Sequence, residues 1–492
     1  MDNIYRSFYT KNNYITKYMV DILNPIPTDV ILEPCGGDGA FIDALLDFNS
    51  DLRIDTCDLN DKAYEKLTHK YSSNNNISIR HTDTLIDKTF DEYSINGHYN
   101  KIIGNPPYGG WQEPEKRNEL KKKYNGFYVK ETYSLFLLRC LSMLKINGQL
   151  SFIIPDTFLF LHNHTSLRSY VLQNTKIKEI LIFPSKFFPG VSFGYSNLSI
   201  ITLEKSETSS LSLNNTFRVI KGLKKDQDIE RIRKRELDKF DVLEFTQQEI
   251  YDNEHHSFIL DNGILSQLIA NSQTKLGDIA ECVTGIYTGN NHKYLGVLNP
   301  DVKNGKNYPV ISEQDVYFEY NSINGIDEPY KYIPIVKGSS KRKYSRECDE
   351  WVIKWDKEAI ESYHNEKKAR FQNSSFYFKT GIALPMVKSS KINATILNNR
   401  VFDQSIVGVF PKENKYLNFL LGLLNSDISN KLIHLINPTA NNSSNYLKEI
   451  PIVLPDEKKL DYITNLVNEV IENNNEDTHT EINEFYNKLY SI

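Results

Sequence analysis

The sequence predicts a doubly wound α/β domain, with helices on both faces of its sheet, followed by a mixed α+β domain. An apolar strand leads into a glycine-rich loop and then a helical pattern over residues 29–46, which is typical of α/β folds. Apolar strands then recur with helical segments between them, and several end on an acid or an asparagine. The 492 residues are also enough for two or three separate cores.

The elements of the first domain follow in a regular order. Apolar runs predict strands at residues 29–33, 52–58, 77–81, 99–104, 149–155, 178–183 and 198–203. Periodic apolar residues predict helices at 132–144 and 166–173. Residues 205–251 are polar and densely charged, so we expect a linker or bridging helix there, with the first domain covering residues 1–245.

The composition is that of an ordinary globular protein. The five cysteines form no Cys-x-x-Cys pair, which argues against a disulfide framework and a structural zinc site. The chain shows neither an apolar leader nor a run long enough to cross a bilayer, so we expect a soluble, cytoplasmic protein. The net charge of −5 speaks weakly against nucleic-acid binding, but basic residues are concentrated in 116–123, 224–235 and 337–346.

The loop at residues 34–39 has the features of a nucleoside-binding site. Gly37 and Gly39 let the backbone approach a ligand, and Asp58 ends the next strand about 20 residues later, where an acid can bind ribose hydroxyls. The glycine spacing fits neither a dinucleotide nor a nucleoside triphosphate. S-adenosylmethionine fits better, because it carries a ribose and a positive sulfonium that the acid Glu33 would attract. Glu33 is explained equally well as a carboxylate that caps the loop.

Asn105-Pro106-Pro107-Tyr108 stands directly after the fourth strand. A ring amino group is flat and weakly nucleophilic, so an enzyme that methylates it must aim hydrogen-bond acceptors at its hydrogens. The Asn105 side-chain oxygen and the Pro106 carbonyl provide two acceptors, and proline restricts the direction of the backbone there. Tyr108 would stack on a planar base. The same four residues are also compatible with a simple strand-ending turn.

In their order, these motifs resemble those of the amino-group DNA methyltransferases, and most closely the TaqI-like adenine-specific group. Phe8-Tyr9-Thr10-Lys11 is similar to the family's N-terminal element, although Lys11 stands where proline is usual. Residues 33–41 are similar to its cofactor loop, with Cys35-Gly36 and Asp38 as departures. Residues 105–108, 150–159 and 187–191 are similar to its catalytic tetrapeptide, the strand that follows and the Phe-Pro element.

The resemblance implies roles for individual residues. Thr10 would contact the methionine end of S-adenosylmethionine, Asp58 its ribose, and Asp83, just past the third strand, its adenine. The implied cofactor-binding set is Thr10, Glu33, Pro34, Gly37, Gly39, Asp58, Asp83 and Asn105. Phe188 would pack on the extruded base opposite Tyr108, with Phe193 and Tyr195 as alternatives.

Methylation of a paired base requires its nucleotide to rotate out of the duplex, and stacking on aromatic side chains offsets part of that cost. The chemistry requires neither a metal nor a general base, because the methyl group leaves a cationic sulfur and the proton can leave afterwards. We therefore expect His162, His164, His255 and His256 to be surface residues and not metal ligands.

Residues 246–492 are predicted to form a target-recognition domain that ends in a helix with an apolar stripe. Residues 337–346 mix cations with hydroxyl and aromatic groups, which is typical of a loop that follows DNA phosphates. The expected DNA contacts are Lys337, Lys341, Arg342, Lys343, Arg346, Tyr287 and Arg370. Gln372 and Asn373 are candidates for pairing with adenine edges.

Together, the motifs predict an adenine-specific DNA methyltransferase that modifies the 6-amino group within a specific site of double-stranded DNA. The resemblance implies a restriction-modification or phage-defence setting, a monomer, and a separate endonuclease for cleavage. Three alternatives stay open: a protein glutamine methyltransferase, an inactive DNA-binding module of this fold, and methylation of the cytosine amino group. The basic C-terminal half argues against the first, and the intact Asn105, Tyr108 and Asp58 argue against the second.

Overall fold

The chain divides into two compact units, Met1–Leu260 and Asp261–Ile492, each with its own hydrophobic core. A computed structural model describes residues 10–109, 113–188, 197–260, 268, 272, 274–386, 392–436, 443–473 and 475–490. Within these residues, no helix combines the length and the apolar character that crossing a bilayer requires.

The first unit is built around one large sheet. Its described strands are β1 (Val30–Glu33), β2 (Arg53–Asp58), β3 (Ile77–His81), β4 (Tyr99–Gly104), β5 (Leu144–Pro155), β6 (Thr175–Pro184), β7 (Asn197–Lys205), β8 (Thr216–Lys221) and β9 (Asp241–Thr246). They are ordered β3-β2-β1-β4-β5-β7-β6-β8-β9. The first five strands pair in parallel, and β7 is antiparallel to both of its neighbours. The carboxyl ends of β1 to β4 therefore meet at one edge, where ligands bind in folds of this type.

Helices connect these strands. The described helices of the first unit are α1 (Asn13–Leu23), α2 (Ala40–Phe48), α3 (Asp61–Tyr71), α4 (Lys88–Asn96), α5 (Pro114–Lys123), α6 (Thr132–Met143), α7 (Thr165–Asn174), α8 (Ser209–Leu213), α9 (Asp228–Arg233) and α10 (Gln247–Asp252). Short 3₁₀ segments lie at Asp156–Leu159, His162–His164, Ser185–Phe187 and Glu254–His256. The predicted α/β class is confirmed, and β3 and β4 have the predicted bounds.

The linker expected at residues 205–251 is wrong. This segment contributes β8 and β9, which extend the sheet beyond β6. In β8, Phe217 and Val219 are buried while the charged residues between and beyond them are partly exposed. The neighbouring Ile220 is buried as well, so residues on both faces of β8 are covered, and the charged residues concealed the strand.

The second unit is rich in short strands. Its described strands are β10 (Thr274–Lys275), β11 (Ala280–Thr284), β12 (Leu295–Val297), β13 (Tyr332–Val336), β14 (Trp351–Lys354), β15 (Gly381–Pro385), β16 (Thr395–Leu397), β17 (Val401–Phe402), β18 (Ile406–Pro411) and β19 (Pro451–Ile452). Among the described residues they form sheets ordered β11-β18-β15-β16 and β12-β14-β13-β17, and a β10-β19 pair.

The helices of the second unit are concentrated towards its end. Those described are α11 (Leu276–Ile279), α12 (Asn291–Tyr294), α13 (Lys357–Asn365), α14 (Leu417–Asn425), α15 (Asp427–Ile436), α16 (Ser444–Lys448), α17 (Glu457–Asn473) and α18 (Glu476–Leu489). The predicted apolar stripe of the last helix is confirmed, because Ile482 and Tyr486 are completely buried.

Candidate active site

The glycine loop after β1 is folded tightly against the end of β2. The Gly36 amide donates to the Cys57 carbonyl at 2.9 Å, and the Gly37 amide donates to Asp58 Oδ2 at 2.9 Å. Gly39 has a φ of +83°, which side chains disfavour, and a Cβ there would overlap the hydroxyl of Tyr71. That hydroxyl donates to the Gly39 carbonyl at 3.0 Å and so fixes the start of α2.

Asp58 is held at the end of β2 by backbone donors. Besides the Gly37 amide, the Asn60 amide donates to its Oδ1 at 2.8 Å. Burial nevertheless raises the pKa of Asp58, although these two amides act in the opposite direction. The carboxylate is thus oriented by the loop at the position expected for a ribose-binding acid.

Glu33 is the most deeply buried acid of this region, with a relative exposure of 2%. Its Oε2 has no hydrogen-bond partner among the described residues. Burial, followed by the charges of Asp58, Asp38 and Asp43, raises the pKa of Glu33 well above its usual range. Oε2 is therefore not used to cap the loop, and the cluster of acids favours a cation beside it.

Asp83 follows β3 and is held from two sides. The Leu85 amide donates to its Oδ1 at 3.0 Å, and Lys116 of α5 forms an ion pair with its Oδ2. Sequence reasoning did not anticipate the pair with Lys116, because the two residues are 33 positions apart.

The Asn-Pro-Pro-Tyr segment lies next to the glycine loop. β1 and β4 are adjacent and parallel, and a Cβ on Gly104 would be 3.3 Å from Cδ of Pro34 and 3.7 Å from Sγ of Cys35. Asn105 Nδ2 donates to Oγ1 of Thr10 at 3.1 Å. Because the amide nitrogen is directed to Thr10, the amide presents its oxygen, Oδ1, as its acceptor atom.

Thr10 owes its position to residues much later in the chain. α1 follows it directly, and the cap residue Asn12 donates through Nδ2 to the Phe187 carbonyl at 3.2 Å. Within α1, Asp21 pairs with Arg233 of α9 at 2.7 Å. Part of the segment expected to be a linker therefore supports the helix that follows Thr10, the hydrogen-bond partner of Asn105.

Tyr108 is 3% exposed and contacts the edge of Tyr133 at 6.4 Å between ring centroids and an interplanar angle of 89°. The Tyr133 hydroxyl lies 2.9 Å from Nε2 of His164, and the Ser134 hydroxyl lies 3.2 Å from its Nδ1. Burial, together with the charge of Arg168, lowers the pKa of His164 to about 3, so the ring is neutral.

The surface position expected for His164 is wrong. It is completely buried, because its 3₁₀ segment precedes α7 and directs the ring towards α6. His162 and His255 contact each other at 4.2 Å between ring centroids. His164 thus belongs to the scaffold behind Tyr108, a role that histidine spacing alone does not reveal.

Phe188 packs in the core of this structure. Its ring is 2% exposed and lies nearly parallel to Phe183, with centroids 6.3 Å apart and an angle of 14°. The two alternatives, Phe193 and Tyr195, lie outside the described residues.

A cavity of about 380 Å³ opens beside the glycine loop, between the start of α1 and α2. Its lining is Thr10, Lys11, Asn13, Thr16, Lys17, Asp38, Ala40, Asp43, Ala44, Asp47 and Lys70. Thr10 and Asp38 were expected near the cofactor, whereas Asp43 and Lys70 were not singled out. They are paired with each other at 2.5 Å, and their helical context gave no local signal.

The expected DNA contacts of the second unit fall into two groups. Lys341 and Arg342 are exposed, the latter paired with Glu347 at 2.6 Å. Lys337 is instead directed to the buried Asp403 at 3.0 Å. Lys343 donates to the Asn425 carbonyl at 2.9 Å and lies 2.7 Å from Nε2 of His479.

The remaining candidates of this unit are also engaged internally. Arg346 donates through Nη2 to the Gly338 carbonyl at 2.6 Å, and burial lowers its pKa. Tyr287 and Arg370 exchange backbone hydrogen bonds of 3.1 and 2.8 Å, while the Arg370 residue is exposed. The Gln372 and Asn373 amides donate to backbone carbonyls of Gly285 and Thr284 at 2.8 and 2.9 Å.

The sheet order and the glycine loop define the fold of the S-adenosylmethionine-dependent methyltransferases. A comparison with protein families points to one group within the methyltransferases. Residues 6–188 match the family described as Eco57I restriction-modification methylase.

Curated relatives share this region. The type II methyltransferase M.HincII of Haemophilus influenzae is 30% identical over 192 residues, which are 38% of this chain and 35% of that protein. The adenine-specific methyltransferase BrxX of Escherichia coli O9:H4 (strain HS) is 24% identical over 360 residues, 72% of this chain and 28% of that protein. The chain thus spans about a third of the length of the curated relatives that it matches.

Solved structures share the fold over both units. The nuclease-deletion mutant of the type ISP restriction-modification enzyme LlaGI, in complex with a DNA substrate mimic, has a TM-score of 0.58 at 12% identity. That similarity covers 95% of this chain and 47% of LlaGI. The type ISP enzyme LlaBIII bound to DNA gives a TM-score of 0.56 at 12% identity, over 95% of this chain and 39% of that one.

Proposed function

We propose that this protein is a site-specific DNA methyltransferase that moves a methyl group from S-adenosylmethionine to the 6-amino group of an adenine rotated out of double-stranded DNA. The placement of Asn105 carries the proposal. It ends a strand beside the glycine loop, and its amide nitrogen is directed to Thr10. An oriented amide oxygen next to a nucleoside pocket is what methyl transfer to an amino group requires.

The residues of the pocket fit S-adenosylmethionine. The backbone at Gly39 leaves no room for a side chain, and the unpartnered Oε2 of Glu33 suits a positively charged ligand. Asp58 would hold the ribose, Asp83 the adenine and Thr10 the methionine end. When bound there, the cofactor supplies an electrophilic methyl group on a sulfonium.

The protein's own groups then prepare the nucleophile. Asn105 Oδ1 and the Pro106 carbonyl accept the two hydrogens of the target amino group, which draws its lone pair out of the ring. We infer that Tyr108, which packs against Tyr133, stacks on the base, and stacking of this kind contributes roughly 1–3 kcal/mol per base. The surplus proton is lost to solvent after transfer.

The second unit is proposed to recognise the target site. We propose that the exposed Lys341, Arg342 and Arg370 contact phosphates, and that Lys337 and Lys343 hold the loop that carries Lys341 and Arg342. The relative BrxX, named as adenine-specific, supports adenine as the methylated base. We further propose a monomer that acts on DNA in a prokaryotic cytoplasm, in a system where a separate endonuclease performs cleavage.

The test is to sequence DNA from a host that expresses the protein, with a method that detects 6-methyladenine at single-base resolution. Hosts expressing Asn105→Ala and Asn96→Ala are compared. Asn96 is exposed at the end of α4, so its substitution controls for the change of residue type. Methylation of one sequence motif by the parent and by Asn96→Ala, but not by Asn105→Ala, is the expected result.

Folding and cofactor binding are checked on the purified proteins. Calorimetric titration with S-adenosylmethionine should show that Asn105→Ala still binds the cofactor, and DNA methylation is then compared at cofactor concentrations that saturate both proteins. A folded parent that binds the cofactor yet leaves no adenine mark in DNA would overturn the proposal.

A further inference from the structure

α5 begins close to the catalytic tetrapeptide. Only five residues separate Tyr108 from Pro114, the first residue of the helix. Six Cα-to-Cα steps of about 3.4 Å reach at most roughly 20 Å, so the start of α5 lies within that distance of Tyr108. A duplex that places an extruded nucleotide at Tyr108 therefore passes within reach of this helix.

One face of α5 is fixed to the first unit. Leu120 is completely buried, Lys116 pairs with Asp83 at the end of β3, and Lys123 pairs with Asp91 at 2.7 Å. Positions 116, 120 and 123 are four and three residues apart, so they share one side of the helix. The ion pair to Asp83 places this side at the same sheet edge as Asn105.

The opposite side of α5 is exposed and positive. Arg117, Lys121 and Lys122 are exposed, and the Lys121 ammonium lies 5.7 Å from the centroid of the Tyr128 ring. Arg117 and Lys121 are one turn apart, about 6 Å along the axis. The two acids of the helix, Glu115 and Glu119, are also one turn apart. Glu119 lies three residues before Lys122, so the acids border Lys122 and leave the side of Arg117 and Lys121 without an acid of this helix.

We propose that the Arg117, Lys121 and Lys122 side of α5 binds the DNA backbone beside the methylated adenine. This proposal rests on the proposed methyltransferase function and adds a contact surface in the catalytic unit to the one expected in the second unit. A rise of about 6 Å spans roughly two nucleotide steps of one strand, at about 3.4 Å per step. The helix presents its cations on a rigid support, because Lys116, Leu120 and Lys123 hold its other side.

The contact has a measurable salt signature. Each phosphate that a cation neutralises contributes about −0.9 to the slope of log K against log salt. Loss of three contacts should therefore flatten the slope by about 2 to 3 and weaken binding at least tenfold near 0.1 M salt. Base recognition should not change, because phosphates carry no sequence information.

The experiment replaces Arg117, Lys121 and Lys122 together by Gln, which retains helix propensity. The control replaces the exposed Lys66, Lys145 and Lys239 by Gln, so that the net charge changes from −5 to −8 in both proteins by loss of three cations. Fluorescence anisotropy measures binding to duplex DNA across a series of salt concentrations, and thermal melting confirms that both variants fold.

We expect the α5 variant, and not the control, to show the weaker affinity and the flatter slope, with parent-like S-adenosylmethionine binding and methylation at saturating DNA. Equal affinities and slopes in the two variants would overturn the α5 proposal while the parent still methylates DNA. A parent that fails to bind or methylate DNA would overturn the proposed function itself, which separates the two failures.

Discussion

Removing the hydroxyl of Thr10 should impair the chemical step. Thr10→Val keeps the shape of the side chain but deletes the acceptor of the 3.1 Å hydrogen bond from Asn105 Nδ2. Thr10 is 4% exposed, so the amide would lose a partner in a nearly dry environment. An unsatisfied buried donor costs about 1–3 kcal/mol, which corresponds to roughly 5- to 150-fold in rate if it appears in the transition state.

The assay is single-turnover methylation of a duplex with saturating enzyme and cofactor. Thr10→Ser retains a hydroxyl and should keep most of the parent's rate. Thr16→Val makes the same substitution inside α1, where the threonine hydroxyl donates to the Asn13 carbonyl, and should not slow the chemical step. Because Thr10 also borders the cavity, the dissociation constant of S-adenosylmethionine is measured for every variant.

A parent-like single-turnover rate for Thr10→Val would refute the argument that Thr10 orients the catalytic amide. A lower rate that saturating cofactor restores completely would also refute it, since the effect would then lie in cofactor binding alone. The argument requires a defect that persists when both the cofactor and DNA are bound.

Three further predictions concern other parts of the molecule. Gly39→Ala should weaken S-adenosylmethionine binding at least tenfold in calorimetry. Gly126→Ala is the control, because Gly126 has a similar φ of +82° but open space around it, and this variant should bind the cofactor normally. Equal affinities of the two variants would contradict the prediction. The pKa of His164 is lowered from 6.5 to about 3, so the neutral ring stabilises the fold fully above pH 6.5 and less as the pH falls. The melting temperature of His164→Gln should therefore fall less between pH 7 and 4 than that of the parent. An equal fall in both proteins would contradict this prediction. Lys343→Met should lower the melting temperature while Lys341→Met weakens only DNA binding, and the reverse pattern would show that the two lysines were assigned wrongly.

The parts predictable from the sequence are those that depend on local patterns. β3 and β4 were predicted with their observed bounds because each is a short apolar run with clear limits. Asp58 and Asn105 were expected at one edge because each follows a strand, and parallel strands align their carboxyl ends. The glycine loop was recognisable because the backbone at Gly39 excludes a side chain.

The parts that were not predictable depend on partners far away in the chain. Thr10 and Asn105 are 95 positions apart, and no local pattern relates them. The four histidines were expected at the surface, because their spacing does not reveal whether they are buried. His164 is in fact buried against α6. β8 was taken for part of a linker because Arg218 and Lys221 interrupt and follow its buried apolar residues, within a segment that is densely charged.

The dependence of α1 on α9 also sets a time at which activity can begin during synthesis. Asp21 in α1 reaches its partner Arg233 only after 212 further residues have been translated, which takes about 11 to 42 s at about 5 to 20 residues per second. Until then the nascent chain already contains the glycine loop and the tetrapeptide, but it lacks the residue that secures the helix beside Thr10. Methylation competence should therefore arise late, when the first unit leaves the ribosome as a whole.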